Sequence, residues 1–183
     1  MATDTHTATG LVFALDDDVP IPYMQRTRDY YLALGYNNPY RWAHCVEVPF
    51  TPLRKPLAAS RLALITTAAL YQPQAGDQGP GAAYNATAKF YRVYSAPADT
   101  IPELRISHLG YDRVHTTAED MNTYMPLARL QEAVTAGRIG ALTPRFHGVP
   151  TNRSQRVTMH TDCPEVLHRC PEDRADAAIL VAN

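Results

Sequence analysis

Asp176-Ala177-Ala178-Ile179-Leu180-Val181-Ala182-Asn183 is a short, nearly continuous apolar run led in by a polar stretch. That pattern predicts a strand buried on both faces, as in a parallel sheet covered by helices. In an open α/β sheet, ligands and reactive groups gather just beyond the carboxyl ends of such strands. The run closes the sequence, so two expectations stand side by side: a site built from earlier segments with Asn183 at its rim, or a reactive tail that belongs after Asn183.

Working back along the chain, Arg61-Leu62-Ala63-Leu64-Ile65-Thr66-Thr67-Ala68-Ala69-Leu70 predicts a first buried strand, followed by a loop broken by Gly76, Gly79, Pro80 and Gly81. That loop lacks the full phosphate-binding glycine pattern and reads as a surface loop. Phe90-Tyr91-Arg92-Val93-Tyr94 alternates like a half-exposed strand, and Leu104-Arg105-Ile106-Ser107-His108 predicts a short strand that delivers His108 at its carboxyl end. Residues 126–136 predict a helix, with Leu127, Leu130 and Val134 at helical spacing, Pro126 in the first turn and Gly137 to close it. Ile139-Gly140-Ala141-Leu142 suits a short strand, and residues 144–150 a loop. A last helix is expected over 162–169, with Asp162 as cap and Pro164 in its first turn.

Strands alternating with helices in this order predict an α/β fold: a single domain with a mostly parallel sheet flanked by helices and an irregular aromatic-rich N-terminal segment. The expected organisation is a flexible arm over 1–20, an aromatic- and proline-rich segment over 21–56 packed over the sheet, and the α/β domain over 57–183. Within the second segment, Tyr30-Tyr31-Leu32-Ala33-Leu34-Gly35 suits a short helix closed by glycine.

A chain of 183 residues suffices for one sizeable core. Its 45% hydrophobic and 19% charged residues are ordinary for a globular protein, while 15 prolines point to many fixed loops. With 17 Lys+Arg against 18 Asp+Glu, the formal charge of -1 offers no field for polyanions, which argues against nucleic acid. No stretch approaches the ~20 apolar residues of a membrane span, and Met1-Ala2-Thr3-Asp4 does not begin a signal peptide, so no membrane and a cytoplasmic location are expected. Three cysteines do not make a disulfide framework. The Cys163/Cys170 spacing is wider than zinc pairs use, so no metal is expected, and no cofactor motif is found.

The densest polar cluster is His108-Leu109-Gly110-Tyr111-Asp112-Arg113, followed by Glu119-Asp120-Met121-Asn122. A histidine beside carboxylates on a loop leaving a strand supplies a proton-transfer group with acceptors to orient it. His108, Asp112 and Asp120 are therefore candidate catalytic residues. Asp120 and Asn122 equally suit turn formation or capping. A second cluster, Arg145, His147 and Arg153, offers charge-assisted bonds to a substrate carboxylate. Arg145, His147 and Asn122 are the candidate substrate-binding residues.

Taken as an ordered set, Leu62 to Leu70, Ile106-Ser107-His108 with Asp112-Arg113, Asp120-Met121-Asn122 with Pro126-Leu127-Ala128-Arg129-Leu130, Gly137-Arg138-Ile139-Gly140 and Ala175 to Val181 resemble the selenoprotein B family of glycine, sarcosine, betaine and D-proline reductases. The resemblance runs from about Pro56 to the last residue. It implies reductive cleavage of a small amine- or amino-acid-like substrate by a selenol or thiol, with a disulfide as acceptor and a thiol or selenoprotein redox partner. In that family the selenocysteine or cysteine, a Pro and a second Cys follow the strand and open a helix, whose dipole stabilises the attacking anion.

None of those residues is in this sequence, and Asn183 occupies the position before them. The expectation is a chain ended where a selenocysteine codon is read as stop; a frameshifted or shortened chain and a genuinely shorter relative are the alternatives. Loss of the following helix would leave apolar surface on the last strand exposed, to be buried by a partner or in an oligomer. The competing functional expectation is a non-catalytic binding or assembly subunit that keeps the fold. A hydrolase using His108 and Asp112 lacks a recognisable nucleophile context.

Overall fold

The computed structural model describes residues 20, 22–37, 44, 46–79, 82–106, 111, 118–151 and 154–182. The chain divides into two compact units, Met1–His44 and Cys45–Asn183. In the first, helix α1 spans Tyr23–Ala33 and starts seven residues before the helix expected from sequence. Gly35 follows its end at φ +82°, a left-handed conformation that glycine adopts without strain. Tyr31 is buried and meets Tyr30 and Tyr36 edge-on, at 5.9 and 5.7 Å between ring centroids.

The second unit is an α/β fold. Its strands are β1 (Arg61–Thr66), β2 (Ala69–Leu70), β3 (Tyr94–Pro97), β4 (Leu104–Arg105), β5 (Ala141–Leu142), β6 (Arg145–Gly148) and β7 (Ala177–Val181). Its helices are α2 (Leu127–Thr135), α3 (Gln155–Val157) and α4 (Cys163–Glu172). The main sheet is mostly parallel: β1 pairs with β5 and then β6 along one edge and with β7 along the other, while β3 joins β6 antiparallel. The segment read as one long strand over 61–70 breaks after Thr66, whose Oγ1 accepts from the Ala68 N–H at 3.1 Å and donates to the Tyr124 carbonyl at 2.7 Å. Beyond the break, β2 leaves the sheet and pairs antiparallel with β4.

Alternation along β1 separates two faces. Leu62 and Leu64 look toward α2 and form a core with Phe146, Leu127, Leu130, Ala133 and Met125. Ala63 and Ile65 look the other way; Ile65 is registered with His147 on one neighbour and Leu180 on the other, and His147 with Ser95. Helix α2 falls within the predicted span and closes on Gly137 at φ +70°, with the Arg138 N–H donating to the Ala133 carbonyl and Gly137 N–H to Val134.

Several expectations are corrected. The half-exposed strand predicted over 90–94 lies instead at Tyr94–Pro97, and the loop predicted over 144–150 holds β6. The final helical run begins at Gln155, passes through a π turn over Thr158–Asp162 and continues as α4. Asp162 is thus a buried residue inside the run, with helical dihedrals and no capping side-chain bond. β7 is not buried on both faces: Ala178, Ile179 and Leu180 are exposed on a strand whose partner among the described residues is β1. Leu180 is 65% exposed. Nor does the aromatic segment pack throughout, since Phe50 is 88% exposed.

Candidate functional site

Thr66 ends β1, and its hydrogen bond to the Tyr124 carbonyl ties the carboxyl end of that strand to a cavity of about 370 Å³. Tyr124 lines this cavity together with Gln78, residues 101–106, Tyr111, Glu119 and Met121. The position agrees with the rule that ligands collect at carboxyl ends of parallel strands, and the size suits a small molecule. The lining mixes apolar surface with Arg105, Glu103 and Glu119.

Arg105 reaches the cavity from β4. Its guanidinium lies over the Tyr71 ring, 4.7 Å from the centroid, donates through Nη1 to the Leu104 carbonyl at 2.8 Å, and pairs through Nη2 with Glu103 Oε1 at 2.6 Å. Its Nε is buried and has no hydrogen-bond acceptor among the described residues. Burial raises the Tyr124 phenol above the usual tyrosine range, so that ring stays neutral and apolar in character.

Of the residues singled out from sequence, His108 and Asp112, with Arg153, lie outside the described residues. Asp120 caps a 3₁₀ turn, Met121–Thr123, by accepting from the Asn122 backbone N–H and from the Asn122 side-chain amide, both at 2.9 Å. Those bonds hold its carboxyl below the usual range. The alternative reading of Asp120 and Asn122 as turn-forming residues describes this geometry, because the two satisfy each other.

Arg145 and His147 project from β6 to the opposite face of the sheet from α2. Arg145 Nε contacts both carboxylate oxygens of Asp173 at 3.0 and 3.1 Å, and its Nη2 lies 3.2 Å from Glu172. A fork already closed on a carboxylate is not available to a substrate carboxylate. His147 is fully buried, with Nδ1 2.8 Å from Ser95 Oγ and Nε2 3.5 Å from Asp173 Oδ2. Arg169 Nη1 donates to the same Ser95 Oγ at 2.7 Å. The Ser95 hydroxyl accepts from Arg169 and donates to Nδ1, which places the imidazole hydrogen on Nε2, toward Asp173. Burial, the dominant influence, lowers the His147 pKa and keeps it neutral.

Ser95, His147 and Asp173 follow one another in space, but His147 Nε2 is buried without a hydrogen-bond partner among the described residues, so the base–orienter bond of a catalytic triad is not made. Arg169 occupies the hydroxyl from outside and the imidazole has no exposed surface, so the trio serves as a latch between α4 and the sheet. The sequence reading missed Asp173, Arg169 and Ser95, the last of which meets His147 and Arg169 across separations of 52 and 74 residues. It also missed Arg105, whose one local signal is its place in the strand leading to His108.

The thiols do not form a redox centre among the described residues. Cys163 is exposed and Cys170 half-buried on α4, and burial pushes the Cys170 thiol up, away from an activated thiolate. Among the described residues no group of three or more His, Cys, Asp or Glu is placed to hold a metal ion, and no helix is long and apolar enough to cross a membrane. Comparison with protein-family models, curated proteins and solved structures finds no match for this chain.

Proposed function

We propose that the chain is a reductase component of the selenoprotein B type that binds a small amine- or amino-acid-like substrate at the carboxyl end of β1. The observation that carries this reading is the cavity beside Thr66 and Tyr124, sized for a small molecule and furnished with Arg105, Glu119 and tyrosine rings. A guanidinium and a carboxylate across one small cavity match the two charges of an amino acid, and tyrosine faces suit an alkylated ammonium. The chemistry is a two-electron cleavage: the substrate C–N bond breaks, the carbon takes a C–H bond and the nitrogen becomes the free amine, and a dithiol that supplies the two electrons and two protons becomes a disulfide. The attacking selenol or thiol is not among the described residues, and His108, on the segment that follows Arg105 and Ile106, is the candidate proton donor.

The test incubates the purified 183-residue chain with dithiothreitol and glycine, sarcosine, betaine or D-proline, and measures amine release and, for D-proline, ring opening. Turnover that falls on His108→Ala supports the reductase reading. Binding without turnover supports the second reading, a binding or assembly subunit, which the exposed apolar edge at Ile179 and Leu180 favours. Neither binding nor turnover removes the substrate assignment.

A further inference from the structure

Arg105 holds a half-made fork. Arginine recognises carboxylates best through two parallel N–H bonds along one edge of its planar group. Along the Nε–Nη2 edge, Nη2 meets a single oxygen of Glu103 at 2.6 Å, while Nε is buried without an acceptor among the described residues. A buried donor left unpaired is costly, so the edge is poised for an oxygen that Glu103 does not provide. The rest of the guanidinium is fixed, by the Leu104 carbonyl on Nη1 and by the Tyr71 ring beneath it. Glu103 has 60% of its side chain exposed and returns readily to water when displaced.

We propose that Arg105 is the specificity-determining residue of this cavity: it takes the carboxylate of the ligand in two bonds along its Nε–Nη2 edge, and Glu103 is the internal competitor that the ligand displaces. This assignment rests on the reading of the cavity as a substrate site. It moves carboxylate recognition from Arg145, whose fork Asp173 closes, to a residue on β4. Glu119, on the cavity wall, is left to face the cationic end of the ligand.

The experiment pairs ligands that differ by the carboxylate alone. Betaine against tetramethylammonium, and D-proline against pyrrolidine, are titrated by calorimetry into the full chain. The wild type is expected to bind the carboxylate member of each pair about tenfold or more tightly, the worth of a charge-assisted fork. Arg105→Lys, which keeps the charge and loses the fork, is expected to erase most of that preference. Glu103→Gln is expected to tighten the carboxylate ligands several-fold, as removal of a competitor should. If the wild type discriminates and both variants discriminate equally well, the Arg105 assignment is overturned and the substrate site stands. If the wild type binds none of the four, the substrate site fails and takes the assignment with it. Should Arg105→Lys lose its fold by circular dichroism, Glu103→Gln decides: unchanged or weaker carboxylate binding overturns the proposal.

Discussion

Helices α2 and α4 end in the same hydrogen-bond pattern, yet they hold the sheet by different means. α2 buries Leu127, Leu130 and Ala133 against Leu62, Leu64 and Phe146, so its attachment is apolar and tolerant of small shifts. α4 has no buried residue and is fastened from its last turns by Arg169 to Ser95 and by Asp173 to Arg145 and His147. Even the closing residues differ: Gly137 takes the left-handed position after α2, whereas Arg174 takes it after α4 at φ 56°. One face of the sheet is held by area and the other by geometry, and only the second depends on charge state.

The sharpest way to break this contrast is to damage each face separately. Phe146→Ala, which empties the centre of the apolar face, is expected to cost about 3–5 kcal/mol in urea denaturation, with little dependence on salt or pH. Asp173→Ala removes the carboxylate that Arg145 Nε and Nη2 bond, leaving that guanidinium only the Glu172 contact, and is expected to cost about 2–3 kcal/mol, at the lower end for a buried pair because Arg145 stays partly exposed. Amide exchange should then rise in α4 and stay unchanged in α2.

The pH dependence sharpens the same distinction. His147 titrates below its ordinary value of 6.5 in the folded chain, mainly because it is buried. The unfolded chain therefore takes up the proton first, so this contribution is fully present above the ordinary histidine range and is lost as pH falls through it toward the lower folded value. The urea midpoint of the wild type should drop between pH 7.5 and 5.5, and His147→Asn should flatten that drop. The depressed carboxyls of Asp120 and Asp176 lose their contributions only at more acid pH. The smallest effect is at the helix ends: Arg174→Gly should raise stability by about 0.5 kcal/mol, as relief of a left-handed residue outweighs the added freedom of the unfolded chain.

The apolar face was legible because its signals are local. The spacing of Leu127, Leu130 and Val134, with Pro126 before and Gly137 after, marks α2 almost to the residue, and the run over 61–70 marks where β1 begins but not its end at Thr66. On the charged face only Arg145 and His147 stood out, as a local basic cluster; their partners Ser95, Arg169 and Asp173 lie far from them in sequence and carry no short-range pattern. Periodicity also failed at β7: Ala177 to Val181 is apolar enough for the centre of a sheet and sits at an edge, since composition does not report how many neighbours a strand has. In the candidate site, Asp120 and Asn122 were visible as polar neighbours, but their chemistry is spent on each other.

The π turn over Thr158–Asp162 sets the rotational phase of everything after it. An α-helix advances about 100° per residue and a π turn about 20° less, so rewinding these five residues as regular α-helix at unchanged length would swing α4 about a quarter-turn. Arg169 and Asp173 would then miss Ser95 and Arg145 together, without any change to the residues of the latch. The wider turn acts as an indexing step between α3 and α4, and its winding is what the charged face requires.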